Sequence, residues 1–257
     1  MKLDIRNVDI IRYIQPLREG GSMPGLVEAD DGFNYVIKFR GAGQGTKALV
    51  ADLICGELAR ILGFKMPEMV FANLNEGFGR LEPDEEIQDL LKFSVGNNLG
   101  VHFLSGALTY DAVVNTIDSD LASKIVWLDA WIMNVDRTAR NTNMLIWNKE
   151  LWLIDHGAAL YFHHNIESWQ KAIDKPFVQI NNHVLLPQAR NLEAIDKEFK
   201  QILTPDIILE IVQAVPDDWL VDESFSVGEM KNIYFEFLTQ RLSQSHHFIQ
   251  AVYDAQK

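Results

Sequence analysis

The sequence predicts an α+β fold in two lobes, a small β-rich N-terminal lobe over residues 1–78 and a larger, mainly helical C-terminal lobe over residues 79–257. Runs rich in β-branched and aromatic residues, joined by turn signals, fill most of the first forty positions, as in strands. Apolar residues recur at spacings of three and four over much of the second half, as in helices. A chain of 257 residues that is 47% hydrophobic can bury the cores of two lobes.

The N-terminal lobe is predicted to contain a hairpin, one helix and further strands. Asp31-Gly32 is a two-residue turn signal between two strand-like runs. Residues 46–62 have helical spacing, and Gly63 provides a C-terminal stop. The stretch MPEMVFANLNE resembles another strand, and the Asn- and Gly-rich residues 73–79 are the predicted hinge between the lobes.

The C-terminal lobe is predicted to be helical except for one hairpin. Asp118 and Thr204 precede two of the helical segments as candidate caps, the second followed by Pro205 at the first helical position. The segments with helical spacing are EEIQDLLKF, DSDLASKIVWLDAWIMN, TPDIILEIVQAV and VGEMKNIYFEFLTQRLSQSHHFIQAVY.

The hairpin lies within NVDRTARNTNMLIWNKELWLIDHG. We expect residues 144–147 to pair with residues 151–154 around a three-residue turn at 148–150. This register would place Asn143 opposite Asp155. One end of the hairpin would then collect several small oxygen-bearing side chains.

Three of these side chains are candidates for phosphoryl transfer. Asp136, Asn141 and Asp155 occur in the order of a catalytic aspartate, a metal-binding asparagine and a metal-binding aspartate. Their oxygens suit Mg²⁺, so Asp136 is the predicted base, and Asn141 and Asp155 are the predicted metal ligands. The alternative is a polar loop at a helix exit, with a surface ion pair from Asp136 to Arg137 or Arg140.

The first lobe offers matching parts for binding a nucleotide. Lys38 lies in the strand YVIKF, and Asp52 or Glu57 on the following helix is the predicted acidic partner of its ammonium group. An ordinary turn in the glycine loop and a solvated lysine on an edge strand remain the alternatives. The loop predicted to present backbone N–H groups to phosphates contains Gly20, Gly21, Ser22 and Met23.

Together these motifs resemble the HipA-like kinases, which have a two-lobed protein-kinase-like fold. The resemblance covers the chain from about Gly20 to His164. It rests on GGSMP, YVIKF, LVADLICGELARILGFKMPE, LDAWIMNVDRTARNTNMLIW and LWLIDHGAALYFHH.

The resemblance implies roles for the same residues. It ranks Asp52 above Glu57 as the partner of Lys38. The implied roles are Lys38 contacting nucleotide phosphates, Asp136 as catalytic base, and Asn141 and Asp155 as metal ligands.

Three positions depart from related kinases. Many relatives have histidine two residues before the catalytic aspartate, where this chain has Asn134. Asp136-Arg137 is similar to the Asp-Arg pair of lipid-type kinases. His156 stands where protein kinases usually have phenylalanine, a difference that bears on how the metal-binding loop is held.

Composition narrows the partners and the compartment. The formal net charge of −13 disfavours nucleic acid and anionic membrane surfaces as partners. Cys55 is the only cysteine, and acids interrupt the N-terminal apolar run, so we expect a cytoplasmic protein.

The predicted function is ATP- and Mg²⁺-dependent transfer of the γ-phosphoryl group to a hydroxyl acceptor, with a protein serine or threonine as the first choice. The alternatives are a small-molecule or lipid-headgroup kinase, and a nucleotide-binding pseudokinase or interaction module.

Overall fold

The structure is a computed structural model that describes residues 3–17, 23–80 and 82–257. It contains both helices and strands, as the sequence predicts. The strands are β1 (Asn7–Pro16), β2 (Gly25–Ala29), β3 (Asn34–Lys38), β4 (Met69–Leu74), β5 (Gly96–His102), β6 (Leu108–Thr109), β7 (Met144–Trp147) and β8 (Glu150–Leu153). The α-helices are α1 (Gly45–Ile61), α2 (Glu85–Phe93), α3 (Ser119–Ile132), α4 (Leu192–Ile202), α5 (Pro205–Gln213), α6 (Val227–Ser243) and α7 (His246–Ala255).

The first five strands form a closed barrel in the order β1-β2-β3-β5-β4. A parallel pairing of β1 with β4 closes it, and the other neighbours are antiparallel. The β2–β3 hairpin reverses at the predicted turn, where Gly32 has a φ of 81° that glycine adopts without a steric penalty. Inward side chains such as Val27, Ile37 and Val70 fill the barrel.

The barrel extends past the predicted lobe boundary at residue 78. Residues 73–79, the predicted hinge, lead into α2 and β5 instead of leaving the barrel. Strand β5 pairs with both β3 and β4, so the chain leaves the barrel after His102.

Helix α1 connects the barrel to the helical part of the molecule. Its bounds lie within one residue of the predicted 46–62. Every residue from Ala48 to Ala59 is buried, because α1 contacts β5 of the barrel as well as α5. Leu49, Leu53 and Leu58 belong to the large core that also contains α3 and α6.

The second sheet consists of β6, β7 and β8, and its register differs from the prediction by one residue. Met144 pairs with Leu153 and Trp147 pairs with Glu150. The turn therefore has two residues, Asn148 and Lys149, which have φ values of 50° and 66°. Such left-handed pairs match the twist of tight hairpins.

The remaining helices enclose the large core. Asp118 and Thr204 cap α3 and α5 as predicted, each accepting a hydrogen bond from a backbone N–H of the first turn. The last predicted helical segment divides into α6 and α7 at Gln244 and Ser245. The sequence did not predict α4, β5 or β6. Within the described ranges, none of the helices is long and apolar enough to cross a membrane.

Candidate active site

Lys38 lies at the end of β3 and joins two acids from distant parts of the chain. Ile37 and Phe39 are buried, and the alternation of a strand turns Lys38 to the opposite face. Its Nζ donates hydrogen bonds to Asp52 of α1 and, over 2.6 Å, to Oδ1 of Asp155. The Lys38 side chain is only 13% exposed, so this is a buried ammonium with two carboxylate partners.

These contacts decide two alternatives that the sequence left open. Strand β3 lies between β2 and β5, so Lys38 is not a solvated lysine on an edge strand. Glu57 instead accepts a hydrogen bond from Nε of Arg60, over 2.9 Å. Asp52 is therefore the acid on α1 that contacts Lys38.

The Lys38 cluster contains one more acid than base. Burial opposes the charge on Lys38, but Asp155 and Asp52 outweigh it and raise the pKa of the ammonium. Burial likewise opposes ionisation of Asp155, but Lys38 and the Gly157 N–H lower the pKa of this carboxyl. Burial raises the pKa of Asp52 to about 6 despite the opposing charge of Lys38. At neutral pH, two carboxylates thus share one ammonium, which leaves negative charge that favours a cation.

Asp136 is held by amide side chains. Asn141 Nδ2 and Asn143 Nδ2 donate to Asp136 Oδ2, over 2.6 and 3.2 Å. The Asp136 backbone N–H donates to Asn134 Oδ1 over 3.1 Å. The structure thus brings the predicted base and one predicted metal ligand into direct contact.

A buried charge network holds the residues on either side of Asp136. Arg137 is 1% exposed, and its Nε donates to Asp129 Oδ2 over 2.5 Å. The other Asp129 oxygen accepts from Asn134 Nδ2 over 2.9 Å, and His183 Nε2 lies 2.9 Å from Oδ2. The partner of Arg137 is therefore Asp129 in the core, which excludes the alternative of a surface ion pair from Arg137 to Asp136.

His156 links the network to α1. Its backbone N–H donates to Asp52 Oδ1 over 2.6 Å, and its Nε2 lies 3.0 Å from an Arg137 nitrogen. Burial, and then the Arg137 charge, lower the pKa of His156 to about 3. The ring is therefore neutral at physiological pH, with Nε2 accepting from Arg137. His156 thus holds the loop that carries Asp155 through hydrogen bonds to Arg137 and Asp52.

Backbone contacts hold the loop of Asp136 beside the loop of Asp155. Ile154 N donates to Asn143 O over 3.0 Å, where the predicted register had placed Asp155 opposite Asn143. Arg137 also donates to Asn143 O, over 2.5 Å. The two loops that carry the predicted catalytic residues are therefore fixed to each other by the main chain and by one buried arginine.

The predicted phosphate loop is described only in part. Gly20, Gly21 and Ser22 lie outside the described residues. Met23 has a left-handed φ of 41° and packs against the barrel core. It also lines a cavity of about 200 Å³ together with Gly41 and Phe93. The roles of these four residues stay predictions.

The donor set suits Mg²⁺ bound together with a nucleotide. Asp155 Oδ1 accepts from Lys38 and the Gly157 N–H, whereas Oδ2 has no hydrogen-bond partner among the described residues. Asn141 donates its amide N–H to Asp136, which directs its amide oxygen elsewhere. Within the described ranges, no three His, Cys, Asp or Glu residues form a metal cluster. Mg²⁺ needs only one or two such protein ligands when phosphate oxygens and water complete its shell.

Comparison with known protein families shows to which family the chain belongs. A family model described as HipA-like kinase matches residues 10–251. The chain belongs to the HipA-like kinase family. It is accordingly a phosphotransferase. No curated protein matches this HipA-like kinase.

Solved structures similar to this HipA-like kinase are also kinases. The Helicobacter pylori proinflammatory kinase CtkA is 12% identical, with a TM-score of 0.59, and the match covers 99% of this chain and 100% of CtkA. The Golgi casein kinase with Mn and ADP bound is 14% identical, with a TM-score of 0.52, over 96% of this chain and 73% of that one. At these identities the comparison establishes a shared fold.

Sequence reasoning missed the residues that support the site of this HipA-like kinase. Asp129 was detectable as the single acid inside the apolar run IVWLDAWIM. His183 lies 54 residues from Asp129 and carries no local signal. Asn143 was expected at the hairpin end, but its contact with Asp136 follows from the loop conformation, including its own left-handed φ of 48°.

Proposed function

We propose that the chain is an ATP- and Mg²⁺-dependent kinase that transfers the γ-phosphoryl group to a serine or threonine hydroxyl of a protein. The observation that carries the proposal is the pairing of Lys38 with Asp52 and Asp155, which lie 14 and 117 residues away. In protein kinases, a strand lysine paired with a helix acid contacts the phosphates, and a separate aspartate holds the metal beside them. The proposal includes a two-lobed arrangement divided after His102.

In this proposal the chain's own residues position the reactants. Lys38 contacts the nucleotide phosphates, and the loop of Gly20, Gly21, Ser22 and Met23 covers them. Asp136 orients the acceptor hydroxyl and accepts its proton. Asn141 and Asn143 hold Asp136 Oδ2, which leaves Oδ1 for the hydroxyl.

Asp155 and Asn141 are the proposed metal ligands. The negative charge that Lys38 leaves uncompensated supports a cation at Asp155. When bound, Mg²⁺ supplies neutralisation of the charge on the phosphate oxygens. The Golgi casein kinase holds Mn and ADP, which supports nucleotide and divalent-metal use in a related fold.

The acceptor class rests on two observations. The similar Golgi casein kinase is named for a protein acceptor. Arg137, whose Asp-Arg sequence resembles lipid-type kinases, is buried against Asp129 and unavailable to a lipid headgroup. A small-molecule or lipid-headgroup acceptor is the alternative outcome of the acceptor assay.

A cytoplasmic location completes the proposal, because Cys55 is the only cysteine and is buried.

A binding experiment tests whether the protein binds ATP, as this proposal requires. The melting temperature is measured with ATP alone, with Mg²⁺ alone and with both. At about a hundred times the dissociation constant, a single-site ligand adds roughly 2.7 kcal/mol to the free energy of unfolding. The absence of any shift would overturn both the kinase and the pseudokinase hypotheses.

Label transfer then distinguishes an enzyme from a pseudokinase. Labelled ATP is incubated with a protein acceptor, a lipid headgroup or a small alcohol. We expect Asp136→Asn to lower turnover by about 10²–10⁴-fold, because it removes the base. The control Asp254→Asn changes an exposed acid outside the site and should match wild type. Equal turnover in all three proteins contradicts the role of Asp136, and ATP binding without turnover indicates a pseudokinase.

A further inference from the structure

The turn between α5 and α6 contacts the barrel as well as its own helices. This turn, Asp217–Trp219, is called the α5–α6 turn below. Asp217 pairs with Lys231 of α6 over 2.7 Å, so the turn is anchored in the helical part. The next two residues reach the barrel, Asp218 through a salt bridge and Trp219 through its indole ring.

Trp219 contacts two adjacent barrel strands. Its Nε1–H donates to the carbonyl oxygen of Asn97 in β5 over 3.0 Å. Its ring meets Phe71 of β4 edge-on, with centroids 5.8 Å apart. Trp219 is 2% exposed, so a large apolar side chain is buried with its polar N–H satisfied. This residue therefore forms a substantial non-covalent contact between the helical part and the barrel.

Asp218 contacts the segment that follows Lys38. Arg40 lies two residues after Lys38, and its guanidinium forms a salt bridge with Asp218 and donates to the Asp218 carbonyl oxygen over 3.3 Å. The Arg40 backbone N–H donates to Asn98 Oδ1 of β5 over 2.9 Å. Arg40 is therefore held on one side by the barrel and on the other by the α5–α6 turn.

The α5–α6 turn also contacts helix α1. This helix contacts α5 as well, and it carries Asp52. A single turn thus contacts β4, β5, Arg40 just after the Lys38 strand, and the helix of the acidic partner of Lys38. Displacement of this turn would change the position of α1 relative to β3, and with it the Lys38–Asp52 pair.

We propose that Trp219 and Asp218 are positioning residues that hold α1 and β3 in the arrangement where Asp52 binds Lys38. The proposal rests on the proposed function where it concerns ATP, because the Lys38–Asp52 pair is the nucleotide-binding element. The turn lies outside the catalytic residues and acts on them through α1 and Arg40. It adds a further contact between the barrel and the helical part to those made by α1 and by the Lys38–Asp155 pair.

The test compares two tryptophans in the helical part. Trp219→Leu removes the barrel contact, whereas the control Trp169→Leu makes the same change beside Ile233 and Phe225 within the helical part. The first readout is hydrogen exchange of α1 amides relative to α3 amides, and the second is the KM for ATP relative to kcat. The unfolding midpoints of both variants are also measured, and exchange and kinetics are compared under conditions in which the two variants are equally stable.

We expect Trp219→Leu to accelerate α1 exchange and to raise the KM for ATP by about ten-fold each, because the binding-competent arrangement becomes a minor state. Trp169→Leu should leave both within about two-fold of wild type at matched stability. Equal effects of the two variants, or wild-type α1 exchange in Trp219→Leu, would overturn the proposal. Faster α1 exchange with an unchanged KM would also overturn it.

A second set of variants uses the exposed salt bridge, in case Trp219→Leu does not fold. Asp218→Arg should raise the KM for ATP, and adding Arg40→Asp should restore most of it by reversing the pair. Failure of the double variant to recover contradicts the role of this contact. If wild type binds no ATP, the proposed function fails, and α1 exchange alone decides whether the turn positions the helix.

Discussion

At the scale of single residues, Asp129 supports the site without belonging to it. Burial alone would raise the pKa of its carboxyl, but Arg137 and His183 hold this pKa well below the usual range. One Asp129 oxygen accepts a hydrogen bond from Asn134, whose side-chain oxygen accepts from the Asp136 backbone N–H. The other accepts from Arg137, which also donates to the Asn143 carbonyl oxygen. A buried ion pair with satisfied partners thus sets the conformation of the loop that carries Asp136.

Arg137→Met is predicted to destabilise the protein by about 3–5 kcal/mol, because it leaves the Asp129 carboxylate buried without a counter-charge. Arg140→Met, an exposed change in the same loop, should stay within about 0.5 kcal/mol of wild type. Denaturant unfolding measures both variants. Adding Asp129→Leu to Arg137→Met removes the unpaired charge and should recover part of the loss. Equal losses for Arg137→Met and Arg140→Met would refute this account.

At the scale of elements, the sequence predicted those whose pattern is local. The β2–β3 turn, α1 and the caps of α3 and α5 each depend on residues adjacent along the chain. Strand β5 was missed because its glycines and asparagines conceal the alternation of a strand. A Cβ at Gly100 would lie 2.7 Å from Val70 Cγ2, so the crowded barrel interior requires glycine there. That requirement comes from β4 and is invisible within β5.

The β7–β8 hairpin was predicted with the wrong register because its turn lacks glycine. Asn-Gly is the familiar signal for a two-residue turn, and Asn148-Lys149 does not contain it. The structure nevertheless places Lys149 at a φ of 66°. The shift places the Ile154 N–H, instead of Asp155, at the Asn143 carbonyl.

Lys149→Gly is therefore predicted to stabilise the protein by about 0.5–1 kcal/mol, because glycine adopts a left-handed conformation without the cost that lysine has. Lys149→Val should instead destabilise it by about 1 kcal/mol or more, since a branched Cβ opposes that conformation. The midpoints of urea unfolding compare the three proteins. A loss of stability in Lys149→Gly would contradict the two-residue turn.

At the scale of the whole molecule, the order of motifs predicted that Lys38 would meet an acid of the following helix and Asp155, and the family resemblance favoured Asp52 as that acid; the structure brings the three together. The boundary between barrel and helical part was harder to predict. Helix α1 lies within the N-terminal sequence, but its side chains belong to the core of α3 and α6. Sequence position therefore does not divide the two cores, since α1 follows β3 in the chain but packs in the core of the helical part.

Because α1 and Trp219 join the two parts, the chain is predicted to unfold in one cooperative transition. All six tryptophans follow residue 103, so tryptophan fluorescence reports mainly the part of the chain after the barrel, with Trp219 at the contact between the two parts. Ile10→Ala, a truncation inside the barrel, should lower the stability measured by that fluorescence by about 2–5 kcal/mol. The control Ile11→Ala changes an exposed neighbour on the same strand and should shift it by no more than about 0.5 kcal/mol. Hydrogen exchange of barrel peptides provides the second reporter. If Ile10→Ala opened the barrel and left the fluorescence midpoint at its wild-type value, the two parts would be independent, and the contacts of α1 and Trp219 with the barrel would not couple them.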